Sequence, residues 1–299
     1  MLLAIVAASL AAPLWAHLVA DTAPQETHVT ETVETGGKLV PVVRHDGRPI
    51  GPTWDAHFFL GADAQGRDVM VRVLYGGRNS LLIGLVAALA TVFLGLALGL
   101  LAGYAGGLLD DAISGVVNVM WAFPGILLGV ALGAALQVGG IEAGPVHLSG
   151  GSVAIPVLVI AVGAVPYVAR PVRAQVLTLR EQEFVLAARA AGMRPGPIMF
   201  RELLPNVAPT LLVIFPLIVG NAIQLEAALS FLGVGVQPPE PSWGTLVEDG
   251  VRRIETAPFL ALVPGALIAL TALMLNLLGN GVRRALDPYA RRHAYVKQT

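Results

Sequence analysis

The sequence predicts an all-α, polytopic membrane protein with about six transmembrane helices. Three observations lead there. Of 299 residues, 55% are hydrophobic and only 13% charged, about half the charged share of a soluble domain. Residues 1–20, 80–109, 112–141, 143–169, 207–225 and 256–282 carry no formal side-chain charge, and about 20 apolar residues suffice to cross the hydrocarbon core. Within the second run Gly95, Gly99, Gly103 and Gly107 recur every fourth position, a spacing that lets two helix backbones pack closely in lipid.

The elements follow in order. Residues 1–20 read as an uncleaved first span, because no Lys or Arg precedes the apolar stretch as a signal peptide would require. Residues 21–79 form an extracytoplasmic segment, with a short hairpin expected around Gly36 and Gly37. Toward its end, Val69, Val73 and Leu74 line one side of an interfacial helix, or the stretch is a plain connector. Further spans are expected at 80–104, 113–136, 152–171, 208–231 and 258–281, completing a core over 80–281 with a loop at 172–206 and a tail at 282–299. Pro124, Pro166, Pro216 and Pro264 lie within spans and predict kinks.

Six spans place the loop and the tail on one side. The loop carries six arginines (Arg170, Arg173, Arg180, Arg189, Arg194, Arg201) and the tail five cations (Arg283, Arg284, Arg291, Arg292, Lys297), eleven together. The other side carries eight: six within 21–79, plus Arg252 and Arg253. The excess in the shorter segments makes the loop and tail cytoplasmic.

Much chemistry is excluded. Cysteine is absent, which removes disulfides, thiolate metal sites and cysteine nucleophiles. Lys38 and Lys297 are the two lysines and neither sits in a phosphate-binding loop, so any ATP is bound by another chain. A net charge of −1 gives no hint of nucleic acid. No HExxH, GxSxG or CxxC occurs, so no catalytic residue is assigned. The six histidines are scattered; His28, His45 and His57 read as solvated loop residues rather than a metal site. One carboxylate, Glu226, lies at membrane depth with Asn221 and Gln224 nearby. Glu226 and Asn221 are candidates for a solute pathway, and structural hydrogen bonding is the competing role for Glu226. An ion-coupled secondary transporter would use Glu226 to carry its proton, but the paired broken helices and internal repeats of that class are not visible.

The segment FVLAARAAGMRPGPIMFRELLPN (184–206) is too polar to span a membrane. Glu183–Ala191 is alanine-rich and helical, Gly192 supplies a left-handed cap, and Pro195 and Pro197 open a second helix that ends before Pro205. The product is two short helices at an angle with a small apolar surface, flanked by Arg189, Arg194 and Arg201. Such a surface either enters a groove on a protein partner or rests on lipid. Four alanines and a glycine give lipid little area to bury, which favours the partner.

This segment resembles the cytoplasmic EAA loop of ABC importer permeases. Ala187, Ala188, Gly192, Leu204 and Pro205 match its spacing, while Leu186 and Glu202 stand where the general pattern has Glu and Ile. The form AARAAG…FRELLPN is similar to that of the dipeptide, oligopeptide and nickel branch. So are LGADAQGRDVMVRVLYGGRNSLLIG (60–84), WAFPGILL (121–128), EAALSFLGVGVQPPEPSWG (226–244) and NLLGNGVRRALDP (276–288). Asn280 and Arg284 depart from the branch, where Asp is common at both. The resemblance is to the C-type subunit and implies the type I ABC importer permease fold in a bacterial or archaeal inner membrane. It further implies a B-type permease partner, two ATPase subunits that hold ATP and Mg, and an extracytoplasmic substrate-binding protein, with no cofactor in this chain. By position, Ala187, Ala188, Arg189 and Gly192 would contact the ATPase, with Leu204 and Pro205 the hinge into span five. The solutes of the branch are peptides, nickel and opines.

Overall fold

The computed structural model describes residues 1–143, 146–149 and 151–286. The first apolar run is α1 (Leu2–Leu10) and α2 (Ala12–Trp15), the latter continued by a π turn over Ala16–Ala20. The two halves are bent by 54°, so the expected single span is a broken one. Pro13 opens the second half, where its missing N–H costs nothing. The predicted hairpin is present as β1 (Thr32–Thr35) and β2 (Lys38–Pro41), antiparallel with Thr35 opposite Lys38. Gly36 and Gly37 turn it at φ +60° and +76°, the paired left-handed turn that suits strand twist.

α3 (Val69–Ala105) joins what the sequence divided into an interfacial helix and span two. Its 37 residues extend about 55 Å at 1.5 Å per residue, so nearly half the helix lies beyond a ~30 Å hydrocarbon core. No proline interrupts it, and Gly76 approaches the Ser242–Trp243 backbone, which rewards a small residue there. α4 (Gly107–Ala122) and α5 (Gly125–Gly139) make the third run, bent by 94° at Phe123-Pro124. A two-stranded hairpin of β3 (Ile141–Ala143) and β4 (Val146–Leu148) follows. The fourth run is α6 (Ala154–Ala164) and α7 (Pro166–Leu179), interrupted at the expected Pro166.

α8 (Glu183–Ala190) and the short α9 (Pro195–Pro197) lead through a π turn over Ile198–Leu203 into α10 (Leu204–Phe231). The second short helix was expected to stop before Pro205; instead the chain is helical from Pro195 to Phe231. A π turn changes the hydrogen-bond register and leaves a backbone group unpaired, and Pro205 just after it has no N–H to pair. The Asn206 side-chain amide donates to the Glu202 carbonyl at 2.6 Å, satisfying an acceptor there. α11 (Trp243–Val251) and α12 (Phe259–Leu286) complete the chain. α11 opens with a capping box in which the Ser242 and Thr245 side chains each bond the other's backbone N–H. Pro216 and Pro264 sit inside α10 and α12. Among the described residues four helices are long and apolar enough to cross a membrane, and six spans result if each bent pair counts as one. Residues 287–299 of the expected tail, with Arg291, Arg292 and Lys297, lie outside the described residues.

The described residues divide into two compact units, one from within 1–84, 130–157 and 223–272 and the other from 85–129, 158–222 and 273–286. In the first, Val69, Val73, Leu246, Ala257 and Leu260 form one core, and Val42, Ile50, Phe58 and Ala62 a smaller one beneath the hairpin segment. The second unit is organised by the glycine stripe. A Cβ at Gly95 would fall 2.5 Å from the Val168 Cβ, at Gly99 2.7 Å from Val172 Cγ1 and 2.8 Å from the Ala169 carbonyl, and at Gly103 2.8 Å from the Val176 Cβ. Real Cβ atoms do not come that close, so α3 and α7 meet backbone to side chain along three glycines. Gly107, fourth in the stripe, lies beyond α3 and meets nothing within 4 Å.

Gly99→Leu is therefore expected to force the two helices apart, destabilising the protein by about 1–3 kcal/mol. Gly115→Ala, where a Cβ meets open space, is the neutral control. Melting of the purified protein in detergent reads both, and equal melting temperatures would remove the close-packing account.

Candidate functional site

The segment singled out by sequence lies in the second unit. α8 ends in a full Schellman cap: the Gly192 N–H donates to the Arg189 carbonyl at 3.0 Å and the Met193 N–H to the Ala188 carbonyl at 3.1 Å. Gly192 takes φ +75° as the cap requires, with open space where a Cβ would lie. Ala187, Arg189, Ala190, Ala191 and Gly192 are exposed. Ala188 is not: it turns inward with Val185 and is 9% exposed. Residues 185 and 188 fall on the inner face of this helix and residues 187, 190 and 191 on its outer face. The surface is also less small than expected, since Leu186 is 46% and Phe200 66% exposed beside the alanines.

Four contacts tether this element and its continuation into α10. The Arg189 guanidinium lies 5.1 Å from the centre of the Tyr104 ring, and Arg180 donates from a terminal nitrogen to the Gly103 carbonyl at 3.0 Å. Further on, Gln175 Nε2 donates to the Asn206 carbonyl at 3.0 Å and accepts at Oε1 from the Thr210 hydroxyl at 2.8 Å. Leu204 is half-buried and Pro205 exposed, both within unbroken helix. Earlier in the chain, midway along α7, Arg173 grips Asp110 with two nitrogens at 2.5 and 2.7 Å.

In the first unit Glu226 is fully buried, five residues from the end of α10. The Ser80 hydroxyl donates to its Oε2 and the Ser230 hydroxyl to its Oε1, each at 2.7 Å. The Trp243 N–H in turn donates to Ser80 Oγ at 3.1 Å, and the Val236 N–H to Ser230 Oγ at 3.0 Å. One carboxyl thus joins α3, α10, the 232–242 loop and the start of α11. These are the hydrogen bonds that the structural role expected for Glu226 would make. Asn221 is exposed; five positions along a helix is about 140° of rotation, so it does not share a face with Glu226.

A second polar assembly occupies the lead-in to α3. Asp63 Oδ2 lies 2.6 Å from Arg67 Nε and 3.4 Å from Arg72 Nε, and Asp249 Oδ2 is 3.5 and 3.7 Å from terminal nitrogens of the same arginines. Burial pushes the Asp249 carboxyl above its usual range, opposed by Arg72 and Arg67. Asp68 caps α3, accepting from the Val71 N–H at 3.0 Å and the Phe58 N–H at 2.8 Å. Burial raises its pKa too, while those same N–H groups pull it down. Sequence motif matching flagged this stretch, but not that its charges close on Asp249 nearly two hundred residues away. Of the histidines, His28 is held by Thr22 at 2.8 Å and Glu31 at 3.0 Å. Among the described residues no three potential metal ligands come together.

The chain itself has counterparts among known proteins. Residues 95–292 match the family described as the binding-protein-dependent transport system inner membrane component. The chain belongs to this family. It is 41% identical over 80% of its length, and 73% of the relative's, to the dipeptide transport system permease protein DppC of Alkalihalophilus pseudofirmus. It is 39% identical over 80% of its length and 74% of the relative's to the glutathione transport system permease protein GsiD of Pectobacterium atrosepticum, and 36% identical over 80% and 73% to the oligopeptide transport system permease protein OppC of Haemophilus influenzae. Among solved structures, an inward-facing form of the MetNI methionine ABC transporter superposes with a TM-score of 0.57 at 21% identity, covering 73% of this chain and 97% of that one. That likeness supports the type I importer fold. The chain is thus an inner-membrane permease of an ABC importer in the peptide branch, a multi-pass membrane protein, and the secondary-transporter reading of Glu226 gives way to this one.

Within this permease the Glu226 knot predicts a stability hierarchy. Glu226→Ala strands two buried hydroxyls and is expected to cost about 2 kcal/mol or more, Glu226→Gln less because one acceptor survives. A double-mutant cycle with Ser80→Ala should show coupling of roughly 0.5–3 kcal/mol in denaturation of the purified protein; additive effects would dissolve the knot.

Proposed function

We propose that this permease forms half of a membrane route for peptides or a related small solute, such as nickel or an opine, and is driven by ATPase subunits that dock on residues 183–205. The observation that carries the proposal is an exposed alanine-glycine face, held rigid by the Schellman cap and flanked by Leu186 and Phe200. A rigid surface with small residues and a few bulky anchors suits a groove on a folded partner. In this reading Ala187, Arg189 and Gly192 meet the ATPase with Ala190 and Ala191 beside them, Ala188 supports them from beneath, and Leu204 and Pro205 form the hinge into α10.

The partners are two ATPase subunits holding ATP and Mg, a substrate-binding protein and a B-type permease companion; this chain contributes no catalytic residue and no cofactor. Residues 1–20 serve as the first span, 21–79 face the binding protein, 80–281 form the membrane core, and the coupling loop and the tail at 282–299 are cytoplasmic. Arg180, Arg189, Arg194 and Arg201 of the loop support that orientation. The names of the relatives support peptides as the solute.

Replacing Glu183–Pro205 with a Gly/Ser linker should abolish uptake in the reconstituted complex. Ala187→Trp, which places bulk on the exposed face without straining the backbone, should lower uptake about tenfold or more, a loss of at least ~1.4 kcal/mol of coupling, while the chain inserts at the normal level. Uptake at the unaltered rate in both variants would remove the docking surface from the mechanism.

A further inference from the structure

A polar and aromatic cluster in the second unit is not used by the coupling element, and of its members only Trp121 falls in a stretch that carries the family resemblance. α4 and α7 lie side by side, and their contacts step along both helices: Asp110 with Arg173, Asn118 with Arg170, Trp121 with Tyr167. From Asp110 to Trp121 is about 16 Å along α4 at 1.5 Å per residue. In the 26-residue apolar helix Ala154–Leu179, Tyr167 is the midpoint. The Trp121–Tyr167 pair, with ring centres 4.7 Å apart, therefore sits near the middle of the span. Aromatic belts that anchor proteins in membranes sit at the two interfaces instead.

Arg170 points the wrong way for a lipid-facing cation. An arginine near a helix end bends its head toward the nearer interface. Arg173, one turn along, reaches the Asp110 end. Arg170 reaches the opposite way: its guanidinium stacks 4.5 Å from the centre of the Trp121 ring and donates to Asn118 Oδ1 at 2.8 Å. Arg170 and Asn118 are exposed, Trp121 is 44% and Tyr167 54% exposed, and a cleft of about 340 Å3 runs alongside, lined by Ser114, Asn118, Arg170 and Arg173 among others. An exposed cation held at mid-span needs water or a solute, because lipid there is prohibitively costly. One side of the guanidinium is fixed by Trp121 and Asn118, which leaves its remaining N–H donors free to meet a carboxylate or peptide carbonyl. The aromatic faces offer stacking to planar amides.

We infer that Arg170, Asn118, Trp121 and Tyr167 line the solute's route and briefly hold the carboxylate of a passing peptide. The peptide part of this inference rests on the function proposed above; the water-facing part does not. The chain contains no cysteine, so a single introduced thiol reports its surroundings cleanly. In proteoliposomes of the full importer, with cysteine-free partner subunits, Tyr167→Cys and Asn118→Cys should react with a charged, water-soluble methanethiosulfonate, and a dipeptide with ATP should slow the reaction. Arg170→Gln should raise the dipeptide concentration giving half-maximal uptake about tenfold, the usual weight of one charge-assisted hydrogen bond, with the maximal rate changed far less and Arg170→Lys partly restoring it. Thiols that react only with a lipid-soluble maleimide, or that cross-link to the companion permease, would overturn the inference by placing the cluster against lipid or in a subunit interface. Unchanged uptake in Arg170→Gln would overturn it as well. Should Arg170→Gln fail to assemble, the labelling and the Arg170→Lys uptake curve decide the matter. If the unaltered complex takes up no dipeptide, the peptide proposal fails separately, and the labelling still decides whether the cluster faces water.

Discussion

The close approach of α3 and α7 along Gly95, Gly99 and Gly103 is the constraint on which the second unit depends. Lipid gives helices no hydrophobic reason to associate, so contact must come from packing, and packing is tightest where one backbone presents no side chain. Val168, Val172 and Val176 repeat at the same interval and fill the vacated space. With α7 seated, everything it carries is placed: Arg170 on Trp121, Arg173 on Asp110, and Arg180 on the last turn of α3. Leu179 then delivers the chain to α8, and Arg189 reaches back to Tyr104 at the end of the helix that bears the stripe. The segment after α7 is thus tied to the same two helices whose spacing the glycines set.

The first unit solves a different problem, which is how to keep irregular backbone in an apolar chain. Residues 232–242 form no regular element, and the backbone N–H groups of Val236 within the loop and of Trp243 just after it are buried and need partners. Glu226 supplies them indirectly. Its two oxygens orient Ser80 and Ser230, and those hydroxyls receive the N–H groups of Trp243 and Val236. The Trp243 indole adds a bond to the Val73 carbonyl at 3.1 Å. A carboxyl is suited to this because it accepts at two well-separated points, while one hydroxyl both donates to it and accepts from backbone.

What the sequence made legible was what local chemistry decides. Paired glycines at 36 and 37 demand a left-handed turn, Gly192 demands a helix cap, and a four-residue glycine spacing demands a close neighbour; all three stand in the structure. The missed features depend on partners far along the chain. The stretch holding Val69, Val73 and Leu74 read as an interfacial helix or a connector because the sequence does not show that Arg67 and Arg72 pair with Asp249, or that Gly76 leaves room for Ser242 and Trp243. Pro205 looked like a stop because a proline ends an ordinary helix, and a π turn has no sequence signature strong enough to announce itself. Arg170 was counted among loop cations because charge alone says nothing of direction. The capping pair Ser242 and Thr245 was readable and would have marked α11.

The unbroken helix from Pro195 to Phe231 changes how a push at the coupling element would travel. Two short helices separated from span five by a break would absorb motion in the break. A continuous helix with one widened turn transmits it, since the hydrogen-bond ladder resists bending except where the register shifts. That shift lies at Ile198–Leu203, between the exposed face at 187–192 and the start of α10. Asn206 and Thr210, just beyond it, are bonded to Gln175 of α7. A displacement of the exposed face is therefore felt by α7 and α10 together, and α7 is the helix that carries Arg170. The start of α10 and Arg170 are thus linked through one glutamine and one seated helix, a short mechanical route from the exposed face at 187–192 to the Trp121 contact.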